Sequence, residues 1–174
     1  VADANVAAVV VDTIEGGGKL AAYTVAATAD AATRIALPTV RREYTTMKLT
    51  SAIAVQNTSA TAANVEIAFR DADDNVLTTC GAPCRVVVAP GAGHLFYPSR
   101  TLNSMPVGTS GSATVTSDQP IVAVVEESSE TGASDALIYT GVPWPATAPA
   151  VPLLAPFVLN HAIIDFAPTV TRRF

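Results

Sequence analysis

Apolar positions in this chain fall in short runs of period two, separated by Gly, Pro, Asn and Asp. Residues 50–56 and 64–70 alternate, which puts Val65, Ile67 and Phe69 on one face and Glu66 and Arg70 on the other. Further strands are predicted over 75–79, 85–89, 93–97, 112–116, 121–126 and 136–140. Short strands with turn signals at even spacing predict an all-β, antiparallel sandwich. No segment sustains a helical period with caps, and a single turn of helix around 102–105 is the one helical candidate.

The pattern also repeats. Residues 1–12 lie over 116–127 at an offset of 115, with Asp3/Asp118, Ala8/Ala123, Val9/Val124 and Val10/Val125 identical. After one added residue, Ala-Ala-Tyr-Thr at 21–24 lies over Leu-Ile-Tyr-Thr at 137–140, with Gly16 over Gly132 between them. The connector Ile35-Ala-Leu-Pro then corresponds to Val151-Pro-Leu-Leu. A period of about 116 residues divides the chain into a partial repeat at 1–34 (the last two strands), a complete sandwich at 35–141, a Pro-rich connector at 142–150 and the head of another repeat at 151–174.

The runs AVQNTSATAANVEIAFRDADDN, VVVAPGAG and SGSATVTSDQPIVAVVEE resemble the immunoglobulin-like β-sandwich repeats found in tandem in secreted and cell-surface bacterial proteins. The resemblance covers 35–141 in full and the flanks in part. It implies an extracellular structural or adhesive module with partial-repeat strands on either side, and it implies no chemistry.

Composition narrows the function further. Charged residues make up 14% and the net charge is -5, so no basic stripe exists to neutralise phosphates or an anionic membrane, and a nucleic-acid partner is excluded. Residues 136–160 carry no charge and are long enough to span a bilayer, but Pro143, Pro145, Pro149, Pro152 and Pro156 would break any helix there. No membrane span is expected.

Candidate chemistry is sparse, and neither a cofactor nor an enzymatic activity is expected. Cys80 and Cys84 flank a predicted hairpin loop, which suits a structural disulfide in an oxidising compartment. A metal would need two more soft ligands, and the spacing is not that of a redox Cys-x-x-Cys. Asp71, Asp73 and Asn75 begin like a calcium loop but lack its Gly and its Glu, so a turn capped by its own side chains is the simpler reading. Asn57-Thr-Ser59 is a glycosylation sequon in a polar loop. Glu126, Glu127 and Glu130 are expected on an exposed turn, and His94 and His161 at the surface or in turns, with no nucleophile motif beside either. Ser112 lacks the second Gly of a nucleophile elbow. Lys19 and Lys48 are the amines that an isopeptide bond would need. Trp144 with Tyr97 and Tyr139 is a candidate sugar platform, against the alternative that Trp144 anchors the connector on the sandwich.

The expectation is a non-enzymatic extracellular structural protein, a filament or surface-fibre subunit assembled head to tail by strand complementation. Val6, Val9, Val11, Val151, Leu153 and Phe157 in the flanks would make the assembly contacts with copies of the same chain. The alternative is an adhesive or carbohydrate-binding module of a larger surface protein, with surface glycans as partners.

Overall fold

The computed structural model describes residues 9–14, 19–24, 30–71, 73, 75–77, 84–97, 105–129, 136–144, 163–167 and 170–173. Two units are distinguished, Val1–Trp144 and Pro145–Phe174. Both are built from antiparallel strands, and no α-helix occurs among the described residues. Among those residues no helix is long and apolar enough to cross a membrane.

The first unit is organised by one strand, β8 (Thr109–Ser129), which is 21 residues long. Its first half pairs with β3 (Ala32–Arg42) on one side and β5 (Ala63–Asp71) on the other. Its second half pairs with β4 (Leu49–Asn57) and β9 (Ala136–Thr140). At Ile121 the two partners are Ala32 and Asn57, so β3 and β4 lie on opposite sides of β8. Hence β9 follows β3 along one side, and β5 follows β4 along the other. The eight strands form one hydrogen-bonded sheet that β8 divides into two layers, the two sheets of the sandwich: β10 (Val142–Pro143), β3, β8, β5 and β6 (Arg85–Val88) in one, and β9, β8, β4 and β7 (Gly93–Phe96) in the other. A strand that bends from one sheet into the next makes the corner of a sandwich.

The corner falls at 117–120, where Pro120 offers no backbone donor. Asn64 N and Nδ2 both donate to the Asp118 carboxylate, which fastens the corner to the start of β5. These bonds hold the Asp118 carboxyl below its ordinary range. Alternation survives the bend: Ala113, Val115, Ile121, Ala123, Val125, Glu127 and Ser129 are all buried. Opposite them Ile35, Leu37, Ile53, Val55, Val65, Ile67, Phe69 and Phe96 complete the core.

The alternating strands 50–56 and 64–70 sit where the sequence puts them, with Val65, Ile67 and Phe69 inside and Glu66 exposed. Strands predicted over 112–116 and 121–126 are instead one continuous strand, because the intervening polar residues form the corner. Residues 35–38, read as a connector, lie in β3. Pro38 disguises that strand, and its missing donor coincides with a register shift between Leu37 and Val40. Of 75–79, Val76 makes only an isolated bridge to Arg70. The candidate helical turn is represented by Met105, which is buried; 102–104 lie outside the described residues.

Two strand pairs remain. β1 (Val9–Ile14) and β2 (Lys19–Thr24) form a two-stranded sheet in the first unit, with β2 running beside β9. In the second unit β11 (Ile163–Ala167) pairs with β12 (Val170–Arg173).

Candidate functional site

Three places gather polar or accessible side chains. The first is inside the sandwich. Arg41 on β3 reaches across to Glu127 on β8 at 2.6 Å, and the Glu127 side chain is only 5% exposed. Arg41 Nε also donates to Ser110 Oγ, and the Arg41 backbone N–H donates to Ser51 Oγ on β4. Beside them Tyr139 on β9 donates its hydroxyl to the Thr39 carbonyl and accepts the Thr39 N–H. Burial, with the Glu127 charge adding to it, pushes the Tyr139 phenol up to about 12. The partners come from β3, β4, β8 and β9, so this cluster clasps the two sheets together.

The second is the outer face of the β9–β8–β4–β7 sheet. Ala52 and Ala54 leave a low floor between taller neighbours, and a trough of about 840 Å³ opens over them. Leu95, Tyr97, Val122, Val124 and Ile138 line it, with Glu126, Gln56 and His94 as the larger polar members. His94 sits on the edge strand with its ring edge-on to Phe96, 4.6 Å between centroids.

The third is the turn after β5. Asp71 accepts bonds from the backbone N–H of Asp73 and from both Asn75 N and Nδ2. These bonds, Asn75 first, depress its carboxyl. These bonds close the turn on its own groups.

Two expectations are corrected. Asn57 is not on an accessible loop: it is fully buried at the end of β4, and its Nδ2 donates to the carbonyls of Thr61, Val88 and Ala89. The atom a glycan would need is therefore engaged in the core. Glu127 is not on an exposed turn either, because β8 continues to Ser129 and carries it inward. Glu126, its neighbour, faces the trough instead.

Trp144, Tyr139 and Tyr97 do not form one platform. Trp144 is half exposed, donates its backbone N–H to the Arg34 carbonyl, and has the Arg34 guanidinium over its ring at 4.8 Å. Tyr139 is committed to Thr39, and Tyr97 rims the trough. Ser112 lies in β8 and Lys19 in β2, while Lys48 pairs with Glu43 at 3.6 Å. Cys84 is buried at the foot of β6, and no described cysteine is free. Val9 and Val11 lie in β1. Cys80, Val6, Glu130, Val151, Leu153, Phe157 and His161 lie outside the described residues.

Sequence reading missed Arg41, Ser51 and the alanine floor. Nothing local marks Arg41, whose partner is 86 residues away.

No family model and no curated protein matches this chain. Among solved structures, it is similar to the protein Thermotoga maritima 1070, with a TM-score of 0.52 over 65% of this chain and 95% of that one, at 14% identity. It is also similar to the Anabaena sensory rhodopsin transducer, at a TM-score of 0.42 over 53% of this chain and 91% of that one, at 18% identity. The likeness to the Thermotoga maritima protein is one of fold.

The clasp makes two predictions. Arg41→Met leaves Glu127 buried without its partner and should cost about 3–5 kcal/mol in urea unfolding. Arg41→Met with Glu127→Leu should recover most of that loss, and Arg85→Met, which breaks the exposed pair with Glu66, should cost under about 1 kcal/mol. A double mutant no more stable than Arg41→Met would show that the pair is not what carries the cost.

The second concerns alkaline pH. A phenol raised from its ordinary value of 10 to about 12 in the fold is stabilising only while neutral. Stability should therefore hold up to about pH 10 and fall as pH rises toward 12, where the unfolded phenol ionises and the folded one resists. Tyr139→Phe should be less stable at neutral pH and should lose part of that alkaline decline. An identical slope in both proteins would contradict the assignment.

Proposed function

We propose that this chain is a non-enzymatic structural protein of the cell exterior, a fibre subunit whose copies join head to tail by lending strands to one another. The observation that carries this reading is the register of the N-terminal hairpin. Val9 pairs with Thr24, Val10 with Tyr23 and Asp12 with Ala21. Their sequence counterparts pair in the same way: Val124 with Thr140, Val125 with Tyr139 and Glu127 with Leu137. β1–β2 thus has the backbone pairing of β8–β9, yet it forms a sheet of two strands where β8–β9 belongs to a full sandwich.

A two-stranded hairpin is marginal in water. β1 is also rich in valine, and each such side chain is worth about 1.5–3 kcal/mol once fully buried. Both facts favour a hairpin that completes a sheet elsewhere. The resemblance to tandem surface repeats supports the extracellular setting, as does a cysteine pair spaced for a hairpin disulfide. The alternative, an adhesive or glycan-binding module, draws on the apolar trough and the exposed Trp144.

Val9→Glu with Val11→Glu should leave the β3–β10 sandwich folded by circular dichroism and abolish assembly seen by sedimentation and electron microscopy. A full chain that stays monomeric at high concentration, and binds polysaccharide in a manner lost on Trp144→Ala, would favour the adhesive module instead.

A further prediction follows from the exterior setting: Cys80 and Cys84 are bonded to each other. Alkylation of freshly isolated protein should modify neither cysteine before reduction and both after it, as read by intact mass. Two reactive thiols without reductant would remove the disulfide and weaken the extracellular assignment.

A further inference from the structure

The trough on the outer face of the β9–β8–β4–β7 sheet has an ordered lining. In its first row Ala52 on β4 pairs with Glu126 on β8, which pairs with Ile138 on β9. Ile53 pairs with Phe96, so Tyr97, the next residue, stands on the other side of Ala52. Neighbouring strands lie about 4.8 Å apart, so Tyr97 and Glu126 rise roughly 10 Å from each other with a methyl between them. The next outward row, about 7 Å further along the strands, is Leu95, Ala54 and Val124, and it is hydrocarbon throughout. The last is Gly93, Gln56 and Val122, in which the glycine raises no wall.

We propose that this trough binds a small organic ammonium ion, an amine or quaternary ammonium on a hydrocarbon body. The cation sits between Glu126 and the Tyr97 ring, and the body lies along Leu95, Ala54 and Val124. Charge complementarity selects the head. With histidine neutral, Glu126 carries the one formal charge among the described lining residues, so a cation is attracted and an anion repelled. The face of an aromatic ring adds to that attraction. A carboxylate has about four acceptor positions, so an ammonium adds to the interaction Glu126 already makes. The floor selects the body. Ala52, Ala54 and Val124 present methyls, and the side chains placed to bond the hydroxyls of a sugar are few, chiefly Gln56 and Ser128. A volume of about 840 Å³ is that of a small-molecule site. The site is built from β4, β7, β8 and β9 and stands apart from the assembly reading, on which it does not depend.

Three compounds with one body and different heads test it: phenylbutylammonium, phenylbutanol and phenylbutyrate. Calorimetry on the dilute full chain should give the ammonium at least about tenfold higher affinity than the alcohol, and no measurable binding of the carboxylate. Backbone amide shifts should place the ammonium over 52–56 and 122–126. Glu126→Gln should lower the ammonium affinity about tenfold and leave that of the alcohol unchanged. Tyr97→Ala should lower it about threefold, and Tyr97→Phe, which keeps the ring, should not. Ala54→Leu fills the floor from an exposed position and should abolish binding of both compounds, with circular dichroism checking that the sandwich is intact. Equal affinity for the ammonium and the carboxylate, a head preference that survives Glu126→Gln, or shifts outside those two segments would each overturn the proposal. So would a neutral oligosaccharide that shifts the same amides while the ammonium does not, since the trough would then be a glycan site.

Discussion

One strand serving two sheets is the constraint on which the sandwich depends. β8 must keep its odd-numbered residues facing inward through 21 positions and around a corner. A slip of one residue would turn Val115, Ile121, Ala123 and Val125 outward together. The Asp118–Asn64 pair and Pro120 fix the bend without disturbing that parity. Two close approaches then follow. A methyl on Gly111 would land on the Arg70 carbonyl of β5, and one on Gly141 would collide with Ile35 and Leu37, so both positions need a residue without a side chain.

The clasp of Arg41, Glu127, Tyr139 and Thr39 completes what β8 begins. Apolar packing of Ile, Leu and Phe holds the sheets together but is less selective in direction than polar bonds. An ion pair and a phenol anchored on backbone groups are satisfied in one arrangement only.

What could be read beforehand follows from the range of each interaction. Period-two alternation is local, and it located β4, β5, β7 and β9 and put Val65, Ile67 and Phe69 inside. Pro38 hid β3, since a proline inside a strand reads as a break unless a bulge receives it. Glu126 and Glu127 looked alike in the chain, but the length of β8 sends one to the trough and the other to the core. Asn57 looked like a loop asparagine because its three carbonyl partners come from the β4–β5 connection, the end of β6 and the residue after it, two of them more than 30 residues distant. The identities between 1–12 and 116–127 were legible in the sequence, and β1–β2 and β8–β9 share one pairing register.

The central claim is that β1–β2 and the C-terminal strand complete a structure between copies. Hydrogen exchange measured across a concentration series, with sedimentation reporting the degree of assembly, tests it most directly. The account predicts that amides of 9–14 and 170–173 gain protection together as copies assemble, while the core amides of β4 and β8 stay protected throughout. Exchange in both flanks that is unchanged from the most dilute to the most concentrated sample would contradict it.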